Sequence, residues 1–136
     1  MIMNKIKRIL VVEDTPEWQK FHINLLKNYF KNEVELTVNS FAREGYQSVL
    51  NNLNNPFDLI ISDLQMETDF EPEFAGEWFI KQVKNLSEYK NVPVVIMSAT
   101  YNIAFIAHNL GVEYLSKRSL ISNPDSYIYF LDQIFV

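Results

Sequence analysis

The amino-acid sequence predicts a doubly wound α/β fold: a five-stranded parallel sheet with helices on both faces. Three observations lead there. Short apolar runs and longer amphipathic segments alternate five times along the chain, and such alternation builds crossover units around a parallel sheet. Runs such as ILVV (9–12) and VVIM (94–97) are near-continuously apolar, as strands covered on both faces must be, because neither side meets water. The 136 residues, nearly half of them hydrophobic, suffice for one compact domain spanning 1–136 and leave no room for a second.

The elements follow in order. RILVV (8–12) is the first strand, rich in β-branched residues like most of its counterparts. Trp18, Phe21, Leu25, Leu26 and Tyr29 then recur at helical spacing, with Thr15 placed as N-cap and Pro16 at the first helical position. VELTV (34–38) is the second strand. Ala42, Tyr46, Val49, Leu50 and Leu53 stripe a second helix, and NNLNN (51–55) reads as its end and a turn. FDLIIS (57–62) is the third strand, followed by a helix carrying Phe79, Val83 and Leu86. VPVVIM (92–97) is the fourth, and Tyr101 to Leu110 gives a short helix with the weakest stripe. VEYLS (112–116) completes the sheet, and Tyr127, Leu131, Ile134 and Phe135 mark the last helix.

Composition excludes several function classes. There is no cysteine, hence no disulfide framework and no thiolate metal site, which fits a reducing cytoplasm. No apolar stretch has the length of a signal peptide core or a membrane span. The net charge is -5 and the 12 Lys and Arg residues are scattered, so no basic stripe offers itself to nucleic acid.

All strands of a parallel sheet point one way, so their carboxyl ends share one edge, where ligands bind. The sequence places Glu13 and Asp14 after the first strand, Asp63 after the third, Ser98 and Ala99 after the fourth and Lys117 after the fifth. Three carboxylates held together repel, and an oxygen-liganded divalent cation neutralises them. Mg²⁺ fits, since it takes one or two carboxylates and completes its shell with water and phosphate, whereas the lack of histidine and cysteine disfavours zinc. Lys117 supplies a point charge for a phosphoryl oxygen, Ser98 a hydroxyl for another, and an aspartate can itself attack phosphorus.

These motifs, VVEDT, LIISDLQM, VIMSAT and GVEYLSKR, resemble in order and spacing the receiver domain of two-component response regulators, across essentially the whole chain. The resemblance implies the flavodoxin-like strand order 2-1-3-4-5. It implies that Asp63 is the phosphoacceptor, that Asp14 ligates Mg²⁺ directly and Glu13 through water, and that the Gln65 carbonyl is a further ligand. Ser98 is then the hydroxyl that bonds the phosphoryl group, Ala99 the small residue that lets backbone approach it, Tyr114 the switch aromatic and Lys117 the family's lysine. A lone acid pair, serine or lysine is more often a helix-start charge, a cap or surface; in this order, at four strand ends, the functional reading prevails.

Two departures flank the site. Arg118 stands where the family usually has proline after the lysine, so the Lys117–Arg118 peptide is expected to be trans. The loop from Glu67 to Ala75, before Gly76, is about five residues longer than the family's; it reads as a solvated acidic turn or, given Phe70 and Phe74, a recognition element. His22 and His108 fall on helices away from the rim and read as surface or partly packed.

The expected function is a phosphoryl-accepting signalling module without an output domain. It takes phosphate from a sensor histidine kinase or histidine phosphotransfer protein onto Asp63 with Mg²⁺, catalyses its own phosphorylation and dephosphorylation, and presents a changed surface to a downstream protein target. One rival is a pseudo-receiver, a phosphorylation-independent interaction module. Another, a hydrolase of the haloacid dehalogenase type, wants a second aspartate where Gln65 stands.

Overall fold

The computed structural model describes residues 6–66 and 72–136. Five parallel strands, β1 Lys7–Val12, β2 Val34–Asn39, β3 Leu59–Ser62, β4 Val94–Ser98 and β5 Glu113–Ser116, form one sheet in the order β2-β1-β3-β4-β5. Every expected strand is present, shifted by a residue or two at its ends, and the order is the one the resemblance implied. Helices α1 Pro16–Tyr29, α5 Lys117–Ser122 and α6 Asp125–Phe135 cover one face; α2 Ala42–Leu50, α3 Pro72–Lys84 and α4 Ile103–Leu110 cover the other.

The central strands alternate between two cores. Ile9, Val11, Leu59, Ile61, Val95 and Met97 pack with Leu26, Leu120, Tyr127 and Leu131. Leu10, Val12, Ile60, Val94 and Ile96 pack with Val49, Phe79, Ile80 and Val83. Each such aliphatic side chain contributes about 1.5–3 kcal/mol by leaving water, and burial on both faces is why these strands read as unbroken apolar runs. Arg8 ties the asparagine-rich turn to this sheet: its guanidinium donates to the Asn55 carbonyl at 2.5 Å and to Asn52 Oδ1 at 2.6 Å, over the Phe57 ring.

Local chemistry explains the ends that position the site. Pro16 begins α1, where its missing N–H costs nothing. Thr15 sits at the N-cap in extended conformation, yet its hydroxyl makes no cap; it donates to Asp14 Oδ1 at 3.4 Å. Gly111 ends α4 with φ +71°, a conformation that suits a residue without Cβ.

After β5 the chain enters α5 directly at Lys117, with Ser116 at its N-cap, a short helix that no stripe in the sequence announces. Two expectations are corrected. Residues 72–75, read as loop, belong to the first turn of α3, while residues 67–71, Phe70 among them, lie outside the described residues. His22 is a core residue, 1% exposed, with Nδ1 2.8 Å from the Tyr127 hydroxyl. His108 is exposed, as expected.

Candidate phosphoacceptor site

Sheet register assembles the site. Val12 pairs with Ser62 across β1 and β3, so Glu13 and Asp63 leave the sheet in step. The ladder carries on past both strands: the Glu13 N–H donates to the Asn39 carbonyl and the Asp63 N–H to the Val12 carbonyl, each at 2.9 Å. The chain passes from β1 outward to β2 and then returns across β1 to β3, which makes the cleft between the carboxyl ends of β1 and β3 the topological switch point. On the far side Ser98 pairs with Ser116, setting Ala99 and Lys117 at the same edge.

Glu13, Asp14 and Asp63 each offer a carboxylate oxygen within 4.8 Å of the others. The Lys117 ammonium lies between two of them, 2.6 Å from Glu13 Oε1 and 2.8 Å from Asp63 Oδ2, and 4.9 Å from the Trp18 ring centre. Exposure of Glu13, Asp63 and Lys117 is only 1%, 8% and 6%, so these are ion pairs sheltered from water, where removing one partner strands the other. Asp63 Oδ1 accepts from the backbone N–H of Leu64 at 2.7 Å and, more weakly, of Gln65 at 3.4 Å, which fixes the carboxylate plane. The Thr15 N–H holds Glu13 Oε2 at 3.1 Å.

Electrostatics follow from that packing. Burial, reinforced by the Asp63 charge, pushes Glu13 up to about 7 despite the Lys117 ammonium. Burial pulls Lys117 down, but the Asp63 and Glu13 carboxylates outweigh it and hold the ammonium above its ordinary range. Three carboxylates against one ammonium leave net negative charge in a cleft of about 400 Å³ lined by Asp14, Thr15, Trp18, Asp63, Gln65, Ser98, Ala99, Thr100 and Lys117. An all-oxygen, net negative donor set suits a hard divalent cation.

Seven of the eight residues singled out from sequence thus meet at one edge. Tyr114 stands apart: it pairs with Ile96 inside the sheet, its side chain is 44% exposed, and it does not line the cleft. Sequence reasoning missed two contributors: Trp18, read only as part of a core stripe, also walls the cleft beneath the ammonium, and Thr100 lines it. Arg118, singled out as a departure beside the site, turns back onto the β4–α4 loop and donates from Nε to the Ala99 carbonyl at 2.8 Å. The position of Trp18, four residues beyond Asp14 on the first turns of α1, was the available signal for the first.

No protein-family model matches the chain. Among curated proteins, it is 32% identical over 123 residues to the phosphate regulon transcriptional regulatory protein PhoB of Escherichia coli, covering 90% of the chain and 44% of PhoB. The chain belongs to the response regulator receiver domain family. Solved receivers share the fold of this receiver. The chemotaxis response regulator CheY4 of Vibrio cholerae superposes with a TM-score of 0.75 at 21% identity, covering 96% of this chain and 99% of that one. The receiver domain of the sensor histidine kinase PA1611 of Pseudomonas aeruginosa, solved with magnesium in its active-site cleft, gives 0.64 at 19% identity over 82% of this chain and 84% of that one. The chain spans less than half the length of the curated relatives it matches. It is a two-component receiver with an acidic pocket of Glu13, Asp14 and Asp63 suited to phosphoacceptor signalling. Among the described residues, no helix is long and apolar enough to cross a membrane.

Proposed function

We propose that this receiver accepts a phosphoryl group on Asp63 from a phosphohistidine of a sensor histidine kinase or histidine phosphotransfer protein, in the cytoplasm, and thereby alters the surface it offers a downstream protein. The observation that carries the reading is the Asp63 carboxylate held between Lys117 at 2.8 Å and the Leu64 N–H at 2.7 Å, with two further acids beside it. A carboxylate oxygen of Asp63 attacks phosphorus, the P–N bond to the donor imidazole breaks, and the imidazole leaves with the bond electrons and takes up a proton. An acyl phosphate remains. The Lys117 ammonium, already on Asp63, follows the developing charge onto the phosphoryl oxygens, and the Ser98 hydroxyl donates to another.

Asp14 and Asp63, with the Gln65 carbonyl and with Glu13 acting through water, would hold Mg²⁺. When bound, the ion supplies positive charge that lets a dianionic donor approach the acids and shields the transferred oxygens. Ala99, without bulk beyond Cβ, leaves the backbone open to the phosphoryl group.

The acyl phosphate adds about 1.5–2 negative charges and three acceptor oxygens. Ser98 is drawn toward them, space opens at the end of β4, and Tyr114 exchanges its half-exposed position for an inward one, changing the face formed by α4 and β5. Incubation with Mg²⁺ and acetyl phosphate, read by intact mass, tests the reading. One added phosphoryl group on the wild type and none on Asp63→Asn is expected; equal labelling of the two, or none on either, contradicts it, and none on either would leave a phosphorylation-independent interaction module.

A further inference from the structure

Arg118, next to Lys117, lies on the surface with its side chain laid against the β4–α4 loop. Its Nε donates to the Ala99 carbonyl at 2.8 Å, and its guanidinium carbon lies 3.9 Å from the centre of the Tyr101 ring. It therefore grips the β4–α4 loop on both sides of Thr100. We propose that Arg118 is a positioning residue for phosphoryl binding: it sets the orientation of the Ala99–Thr100 peptide and, through it, of the Ser98 hydroxyl. This inference rests on the phosphoacceptor reading above.

The argument runs through one peptide plane. Every described peptide bond is trans, and in a planar trans peptide the C=O and the following N–H point in opposite directions. Arg118 holds the Ala99 carbonyl outward, so the N–H of the same peptide, that of Thr100, is turned inward, where it donates to Ser98 Oγ at 3.3 Å. A hydroxyl oxygen that accepts from Thr100 keeps its own proton to donate, and Ser98, Ala99 and Thr100 all line the cleft that contains Asp63. Freed from Arg118, this peptide can rotate, which withdraws the Thr100 N–H and releases the Ser98 rotamer together. Thr100 has one further tether, its own hydroxyl on Asn102 Oδ1 at 2.9 Å, and that bond restrains the side chain rather than the peptide plane.

Arginine is suited to the task in a way lysine is not. Its planar guanidinium lies over the Tyr101 ring while Nε, fixed in that plane, donates to the Ala99 carbonyl; an ammonium has no plane to align. Arg118 is exposed, so its replacement leaves the core intact.

The test compares wild type, Arg118→Ala and Arg118→Lys in a titration with beryllofluoride and Mg²⁺, followed by the fluorescence of Trp18, which lines the cleft. Thr100 amide hydrogen exchange and thermal midpoint are measured in parallel. Arg118→Ala is expected to bind beryllofluoride about fivefold more weakly, the scale of one lost hydrogen bond, to exchange its Thr100 amide severalfold faster, and to keep its thermal midpoint. Arg118→Lys is expected to recover less than half of the lost affinity. Wild-type binding with an Arg118→Ala affinity within twofold overturns the inference alone, as does full recovery by lysine, which would assign the effect to charge. A wild type that binds no beryllofluoride and takes no label from acetyl phosphate overturns the phosphoacceptor reading, and this inference with it.

Discussion

Replacing Gly76 with alanine probes how closely α3 sits against the peptide that carries the proposed nucleophile. A Cβ at that position would lie 2.3 Å from the Asp63 carbonyl oxygen, 2.4 Å from Leu64 Cα and 2.6 Å from the Leu64 carbonyl oxygen. All three are backbone atoms, so no rotamer relieves the overlap. Restoring van der Waals separation near 3.5 Å requires α3 or the Asp63–Leu64 peptide to move by about 1 Å. Overpacking of this kind costs about 1–3 kcal/mol, with the upper end apt for backbone neighbours; the better helix propensity of alanine returns about 1 kcal/mol. A net loss of about 2 kcal/mol is expected, or roughly 6–10 °C in midpoint for a domain of this size. The displaced peptide is the one whose Leu64 N–H holds Asp63 Oδ1, and misplacement of a reacting group by about 1 Å can cost on the order of a hundredfold in rate. Urea unfolding and the rate of labelling by acetyl phosphate measure the two consequences. Gly45→Ala is the control: its Cβ would meet Val12 Cγ2 at 2.7 Å and Phe79 Cε1 at 3.2 Å, buried side chains of the core and not the Asp63–Leu64 peptide, so it should also lose stability but keep its labelling rate. A Gly76→Ala protein within about 0.5 kcal/mol of wild type, the ordinary scatter of surface substitutions, and labelled as fast, refutes the reasoning.

Three further outcomes follow from the geometry. Burial, aided by the Lys117 charge, holds His22 down at about 3, against about 6.5 in the unfolded chain; below pH 6.5 only the unfolded chain takes the proton, so stability is full above 6.5 and falls by up to about 1.4 kcal/mol per unit as pH drops toward 3. Because Glu13, raised to about 7, slopes the other way in metal-free buffer, the readout is the difference between wild type and His22→Gln in urea unfolding from pH 7 to 4.5; parallel curves contradict the assignment. Lys117→Met should lose at least tenfold in labelling rate and roughly 2 kcal/mol in stability, less than the 3–5 kcal/mol for breaking a buried ion pair, because Glu13 can take up a proton; a labelling rate equal to wild type contradicts the role of the ammonium. Ser98→Ala and Tyr114→Ala should each still accept phosphate while the shift changes that beryllofluoride produces over residues 101–117 shrink; an unchanged shift pattern in Ser98→Ala removes Ser98 from the switch.

What could be read from the sequence was whatever local pattern encodes. The strands were legible because both faces are buried, and Glu13, Asp14, Asp63, Ser98 and Lys117 were legible because a parallel sheet sends every strand end to one edge. The misses are tertiary or too short for a period. The segment KRSLIS forms α5 with Leu120 as its one buried apolar side chain, so no stripe could announce it. His22 lies four residues after Trp18 and three before Leu25, on the buried stripe of α1, but the partner that justifies a buried imidazole, Tyr127, is 105 residues away. Thr15 had the sequence of a cap, and the neighbouring Asp14 carboxylate drew its hydroxyl away. The bond from Arg118 to Ala99 joins the first turn of α5 to the loop after β4, which only the pairing of β4 with β5 brings together.

The central claim is that the phosphoryl group resides on Asp63 and not on the neighbouring acids. Borohydride reduces an acyl phosphate to the alcohol, turning a phosphorylated aspartate into homoserine, so treating the labelled protein and mapping its peptides reports which carboxylate was acylated. Homoserine at position 63, dependent on Mg²⁺ and absent from Asp63→Asn, is the predicted result; reduction at Glu13 or Asp14 instead, or a label that borohydride leaves untouched, would contradict it.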